Sequence, residues 1–288
     1  MKARLIACIG VLFLGVVPIL AQPIAESKLK AILIVGHQED GTQNAMEEMD
    51  KVANLFEQHS ISVFRFYDKA ANWKDIVHAA RDCHFLVYSG HGSVMGENGN
   101  AGGLCIKTMV SSAQLTNELK LKDNALVLFQ SVCYGAGSSA GDLKDIGIVE
   151  AKKRVTHYAI PFFEVGAAAY VANNYSDGIL NFLEDFLDGM DLKTAYESQA
   201  ESWSEIIFNH PFPGYSDKMY SIAADEGGGI GILTTYTNGK KTQKEIVSPR
   251  SYDVAYVGPP EFTIHQMRKT AVHSGKGEKL RAIKSRSN

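Results

Sequence analysis

The sequence predicts an α/β fold: a mostly parallel sheet of about six strands with helices on both faces. Continuous apolar runs such as "KAILIVG" (residues 30–36) and "ALVLFQ" (125–130) are typical of strands buried on both faces. Between these runs, apolar residues recur at three- and four-residue spacing, which predicts amphipathic helices. Strands that alternate with helices favour a parallel sheet covered on both faces.

The predicted elements follow one another in chain order. Strands are expected at residues 30–36, 61–67, 84–89, 125–130, 167–173 and 218–224. Helices are expected after the capping residues Thr42, Asn72 and Ser111, and at residues 177–187 and 192–207. The Gly-rich residues 95–106 predict a small hairpin off the sheet, and Asn238-Gly239 predicts a second hairpin.

The two ends of the chain differ from this body. Lys2 and Arg4 precede an apolar run from Leu5 to Leu20, and Ala21 offers a cleavage point, which together indicate a secretory signal peptide. The run is 16 residues long, short of the ~20 that a membrane span needs. We expect a signal peptide at 1–21, one α/β domain at 28–235, and a hairpin with a basic, disordered tail at 236–288. The mature protein is expected in the periplasm or outside the cell, without a membrane span.

Charge and cysteine content reduce the number of protein classes to which the chain could belong. The net charge is −3, and without the signal peptide and the basic tail the body carries about −11. An acidic body argues against nucleic acid as the main partner. Three mature cysteines remain, Cys83, Cys105 and Cys133, so the protein is not a disulfide scaffold. Cys83 and Cys105 flank the third strand, and either a disulfide between them or two reduced thiols would be compatible with the sequence.

Polar residues follow three of the predicted strands. The first strand ends in "GHQED" (36–40), the third in "SGHG" (89–92) and the fourth in "QSVCYG" (130–135). In parallel sheets, ligands bind at the carboxyl ends of the strands. If the third and fourth strands are neighbours, His91 and Cys133 face the same crevice. A single histidine or cysteine in such a position is usually structural, but the paired pattern favours a functional site.

A thiol beside an imidazole is a nucleophile with a base. The thiolate is the reactive form, and a histidine with a pKa near ~6.5 exchanges protons around neutrality. Gly92 allows the backbone to approach a substrate carbonyl closely, because it has no Cβ atom. The N–H groups of Gly92 and Cys133 could then stabilise an oxyanion. These residues together indicate acyl transfer through Cys133.

With these blocks the sequence resembles the caspase-fold cysteine peptidases, which include caspases, metacaspases, legumains, gingipains and clostripain-like enzymes. The resemblance extends from about residue 30 to at least residue 195 and includes "AILIVG", "FLVYSGHG", "LVLFQSVCYGAG" and "GAAAYVANNYSD". It implies a caspase-like three-layer sandwich, with His91 as the general base and acid, Cys133 as the nucleophile, and the N–H groups of Gly92 and Cys133 as the oxyanion hole. Cys133 follows His91 at a separation of 42 residues, which is close to the ~50 found in caspases.

The resemblance also implies a substrate pocket, and there the sequence departs from several relatives. Metacaspases, legumains and clostripain-like enzymes have an acidic residue two positions before the cysteine, where this chain has Ser131. We therefore expect a pocket for small or polar neutral side chains, unless Asp177 or Asp40 supplies a carboxylate. His37 and Asp40 lie where several families place a third active-site residue. We nevertheless expect the dyad to act without a third residue orienting the ring.

No cofactor and no metal site are expected. Some relatives bind calcium, and the acidic residues Glu39, Asp40, Glu47 and Glu48 leave that alternative open, although a helix start with favourable charge explains them more simply. Relatives are often cut near the active site, so we expect a cleavage-sensitive loop after Cys133, in the segment that contains Lys144, Lys152, Lys153 and Arg154.

The sequence thus predicts an exported cysteine endopeptidase that hydrolyses protein or peptide substrates through a thioester. The first alternative is a caspase-like domain that binds peptides without cutting them, and the second is a transpeptidase or ligase that uses the same dyad, because hydrolysis and ligation share the acyl-enzyme. A flavodoxin-like binding protein is a third class, but it would leave the paired histidine and cysteine unexplained.

Overall fold

An eight-stranded sheet lies at the centre of the structure, a computed structural model that describes residues 28–93, 102–204, 206–237 and 240–269. The strands are β1 (Lys30–Val35), β2 (Ser62–Tyr67), β3 (Phe85–Ser89), β4 (Leu104–Cys105), β5 (Met109–Val110), β6 (Ala125–Gln130), β7 (Ala167–Asn173), β8 (Ile206–Pro211), β9 (Met219–Asp225), β10 (Ile230–Thr237), β11 (Lys240–Val247) and β12 (Ser251–Gly258). The α-helices are α1 (Thr42–Gln58), α2 (Trp73–Ala80), α3 (Ser112–Glu118), α4 (Gly147–Glu164), α5 (Gly178–Leu187) and α6 (Leu192–Trp203).

The order of the strands in this sheet is β2-β1-β3-β6-β7-β12-β9-β8. The first five are parallel, and β12, β9 and β8 complete the sheet in antiparallel pairs. Strands β3 and β6 are neighbours, with Ser89 opposite Gln130. The carboxyl ends of the five parallel strands therefore lie at one edge of the sheet, and the antiparallel β12 begins at this same edge.

Helices cover both faces of the sheet. Alternate residues of β1 point to opposite faces, as in any strand: Ile32 and Ile34 pack with residues of α2, α3 and α4, whereas Leu33 and Val35 pack with residues of α1, α5 and α6. All four side chains are fully buried. The expected mostly parallel sheet between two helical layers is confirmed.

Several local predictions are confirmed as well. The six predicted strands are β1, β2, β3, β6, β7 and β9. The side chain of Asn72 accepts hydrogen bonds from two N–H groups of α2, and that of Ser111 accepts one from Gln114 N. Strands β10 and β11 form the C-terminal hairpin, whose predicted turn at 238–239 lies outside the described residues. A small hairpin of β4 and β5 is present beside the sheet, but β5 lies beyond the predicted residues 95–106, and residues 94–101 likewise lie outside the described residues.

Other local predictions are wrong. Thr42 does not cap α1; it is the first residue of that helix, and its Oγ1 accepts a hydrogen bond from Gln38 N. The end of the predicted helix at 192–207 is instead the strand β8, which pairs with β9. Helix α4 fills a segment for which no element was predicted. Its buried residues Ala151, Val155 and Ala159 follow the four-residue spacing of a helix, although Pro161 lies inside it.

The central sheet extends beyond the predicted domain boundary at residue 235, because it includes β12. Strand β12 lies between β7 and β9, and Val254, Ala255 and Val257 are buried. Its partners come from much earlier in the chain, so its sequence carried no local turn signal.

Residues 1–27 and 270–288, with the predicted signal peptide and most of the basic tail, lie outside the described residues. Within the described ranges, no helix has the length and apolar character that a membrane crossing requires.

Candidate active site

The loops after β3 and β6 touch each other at the carboxyl edge of the sheet. A Cβ atom on Gly92 would lie only 1.8 Å from the main-chain oxygen of Cys133, so the two backbones are in direct contact. The preceding residue, His91, forms a bridge with Cys105 next to β4. Two adjacent parallel strands that end in line produce this contact, because their loops leave the sheet side by side. The structure thus brings His91 and Cys133 to one site.

A carboxylate holds the His91 ring. Nε2 of His91 lies 2.9 Å from Oε2 of Glu39, which follows β1 in a short 3-10 turn at Glu39–Gly41. A carboxylate only accepts hydrogen bonds, so Nε2 carries a proton and Nδ1 remains for proton exchange. The sequence analysis expected no partner for the ring, and the structure places Glu39 in contact with it. Glu39 belongs to the "GHQED" segment, where the sequence indicated polar residues but not which of them meets the histidine.

Buried tyrosines stabilise the loop that carries His91. The hydroxyl of Tyr88 lies 3.0 Å from the carbonyl oxygens of both His91 and Cys105, and it accepts the Cys105 N–H at 2.9 Å. Burial raises the pKa of Tyr88 well above its ordinary value, so this hydroxyl keeps its proton. The hydroxyl of Tyr158 accepts a hydrogen bond from Ser93 N at 2.8 Å. The histidine is half-exposed, but its backbone is tied to the core.

The Cys133 loop is a tight turn. Ser131 and Tyr134 on either side of the cysteine have positive φ angles of 55° and 68°. Such angles are uncommon in residues other than glycine and cluster at functional sites, where the surrounding structure holds them. Here Ser131 N donates to Asn173 O at 2.9 Å, and Tyr134 N donates to Ser138 O at 2.7 Å. The turn leaves Cys133 half-buried beside Gly92.

Two backbone donors are available next to the thiol. Within the described parts of the chain, the N–H groups of Gly92 and Cys133 donate no hydrogen bond. Unpaired N–H groups at this point suit an oxyanion, since a developing negative charge would supply their acceptor. The His91 ring and the Cys133 thiol do not form a hydrogen bond with each other. Such bonds are often long before a substrate is bound.

A cavity of about 320 Å³ opens beside the thiol. It is lined by Ser131, Cys133, Ser138, Ser139, Ala140, Asn174, Ser251 and Asp253. Ser131 thus lies where the sequence analysis expected a pocket residue. Asp253 was not predicted, because it belongs to β12, a strand that the sequence analysis did not recognise. The signal that could have indicated it is the nearly continuous apolar run in "SYDVAYVG", which is interrupted by one aspartate.

The other three predicted pocket residues do not line this cavity. His37 Nδ1 lies 3.1 Å from an oxygen of Asp68, and the side chain is largely exposed. Asp40 lies 3.7 Å from Lys241 Nζ of the β10–β11 hairpin. Asp177 accepts a hydrogen bond from Lys51 Nζ at 2.9 Å. All three lie in loops after strands, as predicted, but their side chains have other partners.

Cys83 and Cys105 are free thiols, so the alternative of a disulfide between them is not realised. Cys83 precedes β3 and Cys105 contacts His91 beyond its other end, and five residues of strand span about 16 Å. A disulfide requires Cα atoms less than about 7 Å apart. Burial raises the pKa of Cys83 to about 12, and burial together with the nearby Cys133 raises the pKa of Cys105.

The segment after Cys133 is more structured than a cleavage-sensitive loop. Lys152, Lys153 and Arg154 lie on α4, and Arg154 donates hydrogen bonds to Asp142 at 2.6 and 3.1 Å. Lys144 alone of the four predicted residues lies in the loop before the helix, beside Leu143, whose side chain is 67% exposed. Any accessible cleavage site among these four residues is therefore at Lys144.

The site combines a thiol, an imidazole held by a carboxylate, two N–H groups that donate to no other described residue, and a polar cavity, and such a combination is suited to acyl transfer. Among the described residues, no three or more histidine, cysteine or acidic side chains are grouped so that they could hold a metal ion.

A comparison with protein-family models and with curated proteins found no match to this chain.

Proposed function

We propose that the protein is an exported cysteine endopeptidase with a caspase-like fold. One observation carries this proposal: the contact of Gly92 with the Cys133 carbonyl, which joins the histidine loop to the cysteine loop at neighbouring strand ends. A structural cysteine would need no imidazole beside it, and a structural histidine would need no neighbouring pair of unpaired N–H groups. The Glu39–His91 contact adds the third member of a nucleophile, base and orienting group.

The proposed reaction proceeds through a thioester. Nδ1 of His91 takes the proton of the Cys133 thiol, and the thiolate attacks the carbonyl carbon of the scissile bond. The N–H groups of Gly92 and Cys133 stabilise the oxyanion that forms. His91 then gives its proton to the leaving amine, and a water molecule activated by the same ring hydrolyses the thioester. Glu39 keeps the proton on Nε2 throughout and so leaves Nδ1 facing the reaction.

The test uses the full chain, expressed in an exporting host and incubated with a peptide library whose products are identified by mass spectrometry. Cys133→Ala and His91→Ala should each abolish cleavage while thermal unfolding stays close to that of the wild type. Cys83→Ala is the matched control, because it removes a thiol far from the site. Products joined to an added amine instead of water would indicate a transpeptidase, and peptide binding without cleavage by the wild type would indicate a binding domain.

Export is part of the same proposal and rests on the basic start and apolar run of residues 2–20. The mature chain should begin near Gln22 and be recovered from the periplasm or the medium. N-terminal sequencing of that fraction checks this outcome. Recovery of Met1 from a host that exports other proteins would contradict the proposal.

A further inference from the structure

The cavity beside Cys133 has the composition of a site for a cation. Its polar lining consists of serine hydroxyls, one amide and the Asp253 carboxylate, and no lysine or arginine lines it. We propose that this cavity binds the side chain of a lysine or arginine on the amino side of the cleaved bond, with Asp253 as the residue that selects the charge. The proposal rests on the peptidase function and names its substrate class.

A bulge in β12 presents Asp253 at this position. Along the pairing with β9, Tyr252 is opposite Ala224 and Val254 is opposite Ala223, so Asp253 is the extra residue. Bulges of this kind redirect a side chain and are common next to active sites. The chain on either side is held firmly, because Tyr252 N donates to Ser138 Oγ at 2.7 Å and Val254 pairs with Asn173. The aspartate thus reaches the cavity from a rigid strand.

The acceptors around Asp253 outnumber the donors. Asn174 Nδ2 donates to Asp253 Oδ1 at 2.9 Å, which fixes the orientation of the amide because a carboxylate only accepts. The other amide atom, Asn174 Oδ1, is buried and has no hydrogen-bond partner. In the described ranges, no lysine, arginine or histidine forms an ion pair with Asp253. An ammonium or guanidinium group would supply the missing donors and the missing charge.

Three of the four serine hydroxyls that line the cavity already have partners. Ser138 Oγ accepts from Tyr252 N, Ser139 Oγ accepts from Gly141 N at 3.2 Å, and Ser131 Oγ accepts from Gln130 Nε2 at 2.9 Å. They provide a polar wall rather than a second charge. Desolvating a cation is strongly unfavourable unless an opposite charge compensates it. Because Asp253 is the carboxylate that lines the cavity, the selection is expected to depend on this residue.

The position of the cavity decides which substrate residue enters it. Because Cys133 is part of the cavity wall, we assign the side chain inside it to the residue whose carbonyl carbon the thiolate attacks. This revises the expectation of a small or neutral residue, which considered only Asp177 and Asp40 as sources of a carboxylate. Asp177 is bound to Lys51 and lies outside the cavity lining.

The first experiment compares peptides that differ only in the residue before the cleaved bond, with Arg, Lys, Gln, Ala and Asp at that position. The wild type should prefer Arg and Lys, and Asp253→Asn should lower the ratio of kcat/KM for Arg over Gln on the order of 100-fold. Asp177→Asn, which removes a carboxylate outside the cavity, should keep the wild-type ratio. A wild type that cleaves Gln or Ala peptides as well as Arg peptides overturns the pocket assignment but leaves the peptidase intact.

The second experiment needs no turnover and therefore separates the pocket from the reaction. The rate at which iodoacetamide alkylates Cys133 is measured in the folded wild-type chain with benzamidine, a small cation, or with benzamide, its neutral analogue. Benzamidine should slow the alkylation of Cys133, whereas benzamide should not. The Asp253→Asn substitution should remove the protection by benzamidine. Equal protection by both compounds, or by neither, overturns the inference. Protection by benzamidine without cleavage of any peptide would support the cation pocket while rejecting the peptidase function.

Discussion

Gly92 and Cys133 meet backbone to backbone: a Cβ atom on residue 92 would lie 1.8 Å from the Cys133 oxygen and 2.7 Å from its carbonyl carbon. The same Cβ atom would lie 3.0 Å from the hydroxyl of Tyr158. Real Cβ atoms do not approach a backbone oxygen so closely, so only glycine permits this contact. The glycine therefore determines the distance between the histidine loop and the cysteine loop.

Gly92→Ala should reduce peptidase activity by about 10²- to 10³-fold, comparable to the loss of an oxyanion donor. The added methyl group pushes the loop away from Cys133 and displaces both the His91 ring and the Gly92 N–H group. The free energy of unfolding should fall by about 1–3 kcal/mol, the usual cost of overpacking. Steady-state kinetics and urea unfolding measure the two effects.

Gly229→Ala is the matched control for this substitution. An added Cβ atom at residue 229 has no neighbour within 4 Å, and its φ angle is not in the left-handed region. It should change neither activity nor stability appreciably. Full activity of a folded Gly92→Ala variant would contradict the assignment of this loop to the active site.

Glu39→Gln should lower kcat by at least about tenfold, while KM changes little. The glutamine amide can donate to the ring where the carboxylate accepted, so it no longer holds a proton on Nε2 and the tautomer needed for exchange at Nδ1 is lost. Glu47→Gln is the control, because Glu47 is an exposed carboxylate of α1 that contacts Gln43. Equal effects of both substitutions on kcat would show that Glu39 has no positioning role.

Alkylation should distinguish the three thiols. Iodoacetamide at pH 7.5 should label Cys133 first in the folded chain, Cys105 much more slowly, and Cys83 only after unfolding. Burial raises the pKa of Cys83 to about 12 and also raises the pKa of Cys105, so both have little thiolate at this pH. Peptide mapping by mass spectrometry gives the order. Labelling of all three thiols at the same rate in native protein would contradict the assignment.

His84 should make the free energy of unfolding decrease as the pH falls. Burial, followed by the charge of Lys122, lowers the pKa of His84 from 6.5 to about 4. Between these values the unfolded chain binds a proton that the folded chain does not, so stability is full above about pH 6.5 and is lost as the pH falls towards 4. The expected loss at pH 5 is about 2 kcal/mol relative to pH 7.

His84→Asn isolates this contribution, because an asparagine does not titrate and can still accept a hydrogen bond from Lys30 N, which lies 3.3 Å from His84 Nδ1. The free energy of unfolding is measured in urea at pH 7 and pH 5 for both proteins. The wild type should lose more stability than the variant on acidification. An identical loss in both proteins would show that His84 is not the titrating group.

The strand-end positions of the proposed catalytic pair, His91 and Cys133, could be predicted from sequence because their signals are local. Each half is a run of apolar residues followed by a glycine and a reactive side chain, as in "FLVYSGHG" and "LVLFQSVCYG". Burial on both faces explains the run, and the sheet edge explains the polar residues after it. The capping residues Asn72 and Ser111 could be predicted for the same reason, since their partners lie two or three residues away.

The polar partners of the site depend instead on contacts between distant parts of the chain. Glu39 and His91 are 52 residues apart, and Asn174 and Asp253 are 79 residues apart. Several acidic residues follow β1, and only the packed structure decides that Glu39 meets the ring while Asp40 contacts Lys241.

The sequence by itself determined the α/β class, the strand-end positions of His91 and Cys133, and the glycine after the histidine, because each follows from burial and spacing within one segment. The structure decided that the two strands are neighbours. Only the tertiary structure decided that β12 enters the sheet beside β7, since an antiparallel strand pairs with whichever edge the rest of the fold leaves open. That pairing, with its bulge at Asp253, supplies the cavity with a carboxylate that no local pattern indicated.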